Sequence, residues 1–496
     1  MRTLYADHIS ERLQLMQEGT LQQRLLKCLQ AAILEGVFPP ESRLPATRDM
    51  ARELGVSRNT VIFVYESLTS QGYVTARTGS GTWIAATLPE SCLQSGETLT
   101  AVTANANPLS RLSKRGASLI GHATASPHQW GAFVPGAPDV TAFPHKLFSQ
   151  IQARLNRQPS VDRLIYSSDG GCPDLRQALA GYLRIARSVK ADADQILITE
   201  GIHQAVDLVS RVLCDRGDWV WIEEPGYWGT RNLLRINDLK IHPVPVDDQG
   251  LVVDLPAGTP TPRMIFVTPS HQYPLGVHLS PERRLQLLAL AKRHNSWIVE
   301  DDYDSEFRFS GQPYPSLQGL KADAPVIYMG TFSKTLYPAL RIGYMVVPKA
   351  LIAPLRVAAS ELYRGGHLLV QRALAEFIEE GHYAAHIRRV RLLYQQRRRF
   401  LCKLIRQYLG DRFLASCDHD AGLHLVIRLP RGSDDVAIAA LALRRGVKVR
   451  PLSQYYMQLQ HERGLLLGYA CVNEKQALRA FGILKSCLTD SGISLC

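Results

Sequence analysis

The chain has 496 residues, 46% of them hydrophobic and 21% charged, which suits a soluble protein of more than one domain and excludes a disordered or fibrous chain. The first residues, Met1-Arg2-Thr3-Leu4-Tyr5-Ala6-Asp7-His8, hold no apolar signal-peptide core and no apolar run is long enough to span a bilayer, so a cytoplasmic protein without a membrane role is expected. Nine cysteines with no Cys-x-x-Cys pair argue against a disulfide framework and a metal site, while the formal net charge of +12 admits a polyanion partner.

From Thr20 to Gly36 the apolar positions Leu21, Leu25, Leu26, Leu29, Ile33 and Leu34 fall at helical spacing, with Gly36 as the stop. After Phe38-Pro39-Pro40, the run Leu44 to Gly55 reads as a short helix capped by Thr47 and ended by Gly55. Ser57 caps the next helix, in which Val61, Val64, Tyr65 and Leu68 face inward and Arg58, Asn59 and Ile62 face out. Two short helices about a Gly-containing turn form a helix-turn-helix, whose second helix enters the DNA major groove. Residues 72–84 then read as two strands about a Gly-rich tip.

With Leu44-Pro45-Ala46-Thr47-Arg48 and Val56-Ser57-Arg58-Asn59-Thr60-Val61 in these places, the module of residues 1–85 resembles the winged-helix domain of GntR-type bacterial regulators. The resemblance implies DNA contacts at Arg48, Ser57, Arg58, Asn59 and Thr60, with the wing tip at Thr78 and Gly79 and a further phosphate contact at Arg43. Lys plus Arg number nine in this module against eight Asp plus Glu. Affinity for DNA therefore rests on a few placed arginines and helix amino-termini, doubled in a dimer. Residues 86–125, rich in Ser, Thr, Ala and Asn, read as an interdomain tether. Its basic cluster of Arg111, Lys114 and Arg115 has two readings, a DNA-backbone contact or a solvated charge group.

Beyond residue 126, apolar runs at 195–199, 219–222, 264–267, 297–299 and 326–329 alternate with helical stretches, the βαβ pattern of an α/β sheet. Ligands in such sheets bind at the carboxyl ends of strands. Glu200-Gly201-Ile202-His203-Gln204 there opens a helix and offers N–H groups to a phosphate. Glu300-Asp301-Asp302-Tyr303-Asp304 puts a carboxylate where it could pair with a protonated pyridine nitrogen. The run Gly330-Thr331-Phe332-Ser333-Lys334 places a lysine behind two hydroxyls and seven residues ahead of Arg341. A lysine that attacks an aldehyde must be uncharged part of the time, and a nearby fixed cation with partial desolvation lowers its pKa toward that state. Hydroxyls and arginine also suit a phosphate, so aldehyde plus phosphate spells pyridoxal 5′-phosphate.

In this order the motifs of residues 126–496 resemble the class I aminotransferase fold, fold type I among pyridoxal-phosphate enzymes. The resemblance implies a Schiff base on Lys334, Asp301 on the pyridine nitrogen, Tyr303 on the phenolic oxygen and Tyr227 stacked on the ring. It implies further that the backbone of Ile202 and His203, with Thr331, Ser333 and Arg341, holds the phosphate. Tyr166 would reach the phosphate of a partner subunit, which makes a homodimer. A winged helix joined to such a domain is the arrangement of the MocR subgroup of GntR regulators, and Pro269-Ser270-His271-Gln272-Tyr273-Pro274 is similar to that subgroup's strings.

One departure bears on function. Transaminases clamp the substrate α-carboxylate with an arginine near the carboxyl end, where this chain has Leu466. Arg450 or Arg463 stands as a substitute, and loss of a bidentate charged contact costs about 2–5 kcal/mol. The expectation is therefore a bacterial transcriptional regulator whose effector domain senses pyridoxal phosphate, or that cofactor joined to an amino acid or amine such as γ-aminobutyrate or taurine. The alternative is a working aminotransferase with an accessory DNA-binding head. The basic run from Arg388 to Arg406 has two readings as well, a surface along DNA or a solvated amphipathic helix.

Overall fold

The computed structural model describes residues 2–16, 18–77, 81–86, 112–121, 129–158, 160–161, 164–167, 169–311, 314–321, 323–414, 420–458 and 462–495. Contacts divide the chain into two compact units, Met1–Arg111 and Leu112–Cys496.

The first unit opens with a helix that the sequence reading did not place, α1 (Arg2–Leu15). Ile9 of α1 is fully buried in the unit's core, and Arg12 reaches Glu35 at 2.5 Å. Helix α2 (Leu21–Leu34) starts at Thr20 in a capping box with Gln23, two orphan donors satisfied reciprocally. Helix α3 (Thr47–Leu54) ends at Gly55, whose φ of 66° is the left-handed conformation that glycine adopts without strain. The start of α3 differs from expectation. Ala46 occupies the cap position and makes no side-chain bond, so Thr47 is the first helical residue and not the cap. Helix α4 (Arg58–Ser70) is capped by the Ser57 hydroxyl, which accepts from the Thr60 N–H at 3.1 Å. Strands β1 (Val74–Arg77) and β2 (Gly81–Ile84) pair antiparallel as the wing. Leu25, Leu29, Met50, Val61, Val64 and Leu68 close the core, each fully buried, at about 1.5–3 kcal/mol per large side chain.

In the second unit, α5 (Lys114–Gly121), inside the stretch read as tether, packs against a later helix of the same unit. Arg115 stands 3.8 Å from Asp238, so at least this member of the basic cluster is engaged within the unit. After α6 (His145–Asn156) and α7 (Pro173–Arg187) comes strand β3 (Ile196–Thr199), followed by α8 (Ile202–Leu213). Strand β4 (Trp219–Glu224), α9 (Trp228–Ile236), β5 (Lys240–Asp247), β6 (Gly250–Leu251), β7 (Met264–Val267), α10 (Pro281–His294), β8 (Trp297–Asp302), β9 (Val326–Thr331) and β10 (Gly343–Val346) continue the alternation. They form one eight-stranded sheet in the order β3-β10-β9-β8-β7-β4-β5-β6. The pairs among β9, β8, β7, β4 and β5 are parallel, and β10 is antiparallel to both its neighbours. Strand β3 therefore runs with β9, and the carboxyl ends of β3, β4, β8 and β9 share one edge. Continuous apolar runs are what a sheet covered on both faces requires, and Val220, Ile265, Ile298, Val299 and Ile327 are fully buried.

Helices α11 (Ile352–Tyr363), α12 (Leu368–Glu379) and the 27-residue α13 (His382–Tyr408) lead to a smaller antiparallel sheet. It comprises β11 (His424–Arg428), β12 (Arg450–Pro451) and β13 (Gly464–Gly468) in the order β11-β13-β12, with α14 (Asp435–Arg444) and α15 (Glu474–Asp490) packed nearby. Helix α13 is amphipathic, and its cations divide between an inward and an exposed side. Arg391 donates to the Glu306 carbonyl, Arg397 to Asp139 and Arg398 to Asp420, while Arg388, Arg399, Lys403 and Arg406 are exposed.

Candidate functional site

The turn after β9 is fixed by the buried side chains of Phe332, Thr335 and Leu336, and Lys334 projects from it. Its Nζ donates to the Gly136 carbonyl at 2.9 Å. Gly136 has a φ of +69°, and a Cβ built there would stand 3.1 Å from Nζ, so only glycine lets the backbone come this close. Burial lowers the lysine pKa and Arg450 adds to the effect, against the pull of Asp304 and Asp301. The cation beside this lysine is thus Arg450 and not Arg341. Arg341 is exposed and donates to the Glu200 carbonyl, beside Gly201.

Asp301 occupies the end of β8. Its Oδ1 is buried and has no hydrogen-bond partner, and burial, with repulsion from Asp302 and Glu223, pushes the carboxyl up to about 7. Glu223 beneath it accepts from the N–H and hydroxyl of Thr268. Tyr227, Glu223, Thr268, Phe266, Val299 and Asp301 line one cleft. The Tyr227 hydroxyl meets His203 Nε2 at 3.1 Å, and Tyr273 stands edge-on to Tyr227 at 5.8 Å. Gly229 makes room for this pair, since a Cβ there would lie 2.8 Å from His203 Nε2 and closer still to the Tyr227 ring. The Tyr303 hydroxyl is 2.9 Å from His271 Nδ1.

At the other end, Gly201 with φ 92° and ψ 179° precedes α8, and the first-turn N–H groups of Ile202 and His203 have no acceptor within the helix. Thr331 ends β9 and Ser333 lies on the turn after it, their hydroxyls 3.0 Å apart. Lys334, Asp301, Tyr303, Tyr227, Ile202, His203, Thr331, Ser333 and Arg341 thus lie on the carboxyl edge of the sheet or in the loops beyond it. Tyr166 does not join them within one chain. It is 83% exposed, next to Leu164 at 71% and Ile165 at 58%.

These residues fit pyridoxal phosphate. The unpartnered Asp301 oxygen suits a ring N–H, a buried lysine of lowered pKa suits an aldehyde, and helix N–H groups with hydroxyls suit a phosphate. Sequence reasoning missed the His203 side chain, Glu223, His271 and His424. No local motif marks them, because their partners lie 24 to 45 positions away or on another strand.

The two substitute arginines separate clearly. Arg463 is 3.3 Å from the fully buried Asp435, which also accepts from Ser453 and Gly464, so Arg463 is engaged. Arg450 has no ion pair among the described residues and lies over the Trp228 ring at 5.6 Å. On β12 it is paired with Leu466 of β13, and cross-strand partners share a face of the sheet. Leu466 packs with Tyr455, and Tyr273 and Trp228 lie against the same cluster. Arg450 therefore stands one strand over from Leu466.

On the first unit, Arg43, Arg48, Ser57, Arg58 and Asn59 are exposed at or near the starts of α3 and α4. Thr60 is not. It is 8% exposed and its hydroxyl lies 2.9 Å from that of Ser57, since it forms part of the helix cap. Thr78 and Gly79 lie outside the described residues.

Residues 21–84 match the family described as bacterial regulatory proteins, gntR family, and residues 141–482 match aminotransferase class I and II. The chain is 41% identical over 476 residues to the probable rhizopine catabolism regulatory protein MocR of Rhizobium meliloti, covering 94% of this chain and 93% of the relative. It belongs to the MocR subfamily of GntR-type transcriptional regulators. A further relative, the HTH-type transcriptional regulator TauR of Rhodobacter capsulatus, is 32% identical over 92% of this chain and 94% of its own length. Among solved structures, the multiple substrate aminotransferase of Thermococcus profundus superposes with a TM-score of 0.69 at 24% identity, covering 78% of this chain and 99% of the enzyme. That likeness gives the second unit of the MocR-type chain its fold.

Proposed function

We propose that this MocR-type regulator binds pyridoxal phosphate on Lys334 and that the loaded second unit, alone or with an amine ligand, alters operator affinity of the first. The observation that carries the proposal is the unpartnered buried oxygen of Asp301, in one cleft with Tyr227 and coupled to the charge of Lys334. Burial lowers the Lys334 pKa. Asp301 holds the ring nitrogen, Tyr227 covers the ring, Tyr303 donates at the phenolic oxygen, and Ile202 and His203 N–H with Thr331, Ser333 and Arg341 hold the phosphate. When bound, the cofactor supplies an aldehyde that captures primary amines. Arg450 then reads an anionic end of such an amine, over the Trp228 face.

Leu466 in place of a clamp arginine supports a sensor over an enzyme, with slow or absent transamination expected. Exposed Leu164, Ile165 and Tyr166 support a homodimer in which Tyr166 reaches the partner's phosphate site. Among the described residues no helix is long and apolar enough to cross a membrane, in keeping with a cytoplasmic regulator. The output is linkage: a ligand shifts operator binding only by its differential affinity for the states that bind DNA well and badly. The test is operator binding by wild type and Lys334→Ala with and without pyridoxal phosphate, using DNA flanking the protein's own gene. A response in wild type that Lys334→Ala lacks is expected. An equal response in both, or in neither with amino acids also supplied, refutes the proposal.

A further inference from the structure

Tyr303 is tied to a buried chain of polar groups behind the cleft. His271 Nδ1 stands 2.9 Å from its hydroxyl and 3.1 Å from Asp304 Oδ2. His271 is 4% exposed and Asp304 2%. From β11 the His424 ring packs on His271 with centroids 5.4 Å apart. His424 Nε2 meets the Pro274 carbonyl at 2.9 Å and so carries the hydrogen, which leaves its buried Nδ1 bare and without a partner. On the solvent side stands His278, its ring 6.3 Å from that of His271 and its Nε2 3.4 Å from Arg308, in a cleft also lined by Ser305 and Tyr314. The seat is built for the imidazole: Gly422 has a φ of +81°, and a Cβ there would stand 2.0 Å from His271 Cε1.

One nitrogen faces two partners and can carry one hydrogen or none. With the hydrogen on Nδ1, His271 donates to the Asp304 carboxylate, and Tyr303 must turn its own hydrogen into the cleft. With Nδ1 bare and the ring hydrogen on Nε2, Nδ1 accepts from Tyr303, and Asp304 approaches it only when protonated. The two arrangements differ by one proton on the His271 and Asp304 pair, exchanged with solvent past His278. We infer that His271, steered by Asp304, is a positioning residue that decides whether Tyr303 offers a hydrogen or a lone pair to the phenolic oxygen of bound pyridoxal phosphate. This rests on the cofactor reading above. Beyond the groups in contact, Lys334 and Arg187 act on Asp304 by charge, and burial pushes that carboxyl up to about 8, within reach of neutral pH.

The experiment follows the visible absorbance of full-length protein loaded with pyridoxal phosphate as pH is varied across neutrality. His271→Phe keeps a ring in the seat and removes both nitrogens, and a shift of the absorbance midpoint by about one pH unit or more, tenfold in proton affinity, is expected. In a Tyr303→Phe background the same replacement should add nothing, because the effect passes through the phenol. A His271→Phe midpoint equal to wild type, or a shift that persists without Tyr303, overturns the inference. If His271 variants do not fold, Asp304→Asn takes their place with the same two readings. A wild type with no visible band overturns the cofactor reading itself, and the relay with it.

Discussion

Replacing Asp301 with asparagine should stabilise the cofactor-free protein while weakening its hold on pyridoxal phosphate. In the folded chain this carboxyl keeps its proton to about pH 7, against 3.8 in the unfolded chain. Between those values the folded state binds more protons, so stability falls as pH rises across the window, and the whole cost is present above it. A displacement of about three pH units at about 1.4 kcal/mol each sets a ceiling of about 4 kcal/mol. Asp302, Glu223 and Asp304 share the repulsion and would relax when one charge is removed, so about 2 kcal/mol is the figure to expect. The assay is urea unfolding of the cofactor-free wild type and Asp301→Asn, followed by the fluorescence of Trp219, Trp221, Trp228 and Trp297. The two should agree below about pH 4, separate steadily between pH 4 and pH 7 and differ by about 2 kcal/mol by pH 8, with the variant the more stable. With cofactor the order should reverse, since asparagine cannot pair with a protonated ring nitrogen by charge. A difference that is flat in pH would refute the reasoning, because the cost would then not be one of ionisation.

Arg450→Leu should weaken anionic amine ligands by about 2–5 kcal/mol and leave neutral amines unchanged; calorimetric titration of the loaded protein with both kinds checks it, and equal losses would remove Arg450 from the site. Arg58→Ala should cost about 1–3 kcal/mol of operator affinity if α4 is the reading helix, while Ser57→Ala should cost about 1 kcal/mol of stability by uncapping it. An unchanged operator affinity and sequence preference for the Arg58 variant would place the reading surface elsewhere. Arg187→Met should destabilise by about 3–5 kcal/mol, because Asp302, 2.6 Å away and 5% exposed, is left as an unpaired buried charge. Adding Asp302→Leu should recover much of that loss in the same denaturation assay, and failure to recover any would assign the damage to packing.

Much of the fold was legible because continuous apolar runs such as Met264–Val267 and Val326–Thr331 can only be buried strands in this alternation. The residues proposed to hold the cofactor stand out as strings at strand ends. Helix α1 was not, since its apolar residues form no clear stripe and only Ile9 among the described side chains is fully buried. The cation beside Lys334 was misplaced for a related reason: Arg341 is near in sequence, while Arg450 arrives from another sheet. The choice between Arg450 and Arg463 turned on Asp435, a partner 28 positions away. The histidines at 203, 271 and 424 carry no signal of their own. Their meaning lies in a tyrosine or a second histidine that only the fold supplies.

Helix α13 has a mechanical side. Arg389 is bonded to the Ala142 carbonyl and Arg397 to Asp139, close in sequence to Gly136. Arg391 is bonded to the Glu306 carbonyl, three residues beyond Tyr303, and Arg397 also to the Ala470 carbonyl just past β13. One rigid rod is thus bolted to the Gly136 wall, the Tyr303 wall and the small sheet that carries Arg450. The three walls are tied to one another through a single helix, so the cleft is held as a framed unit rather than as separate loops.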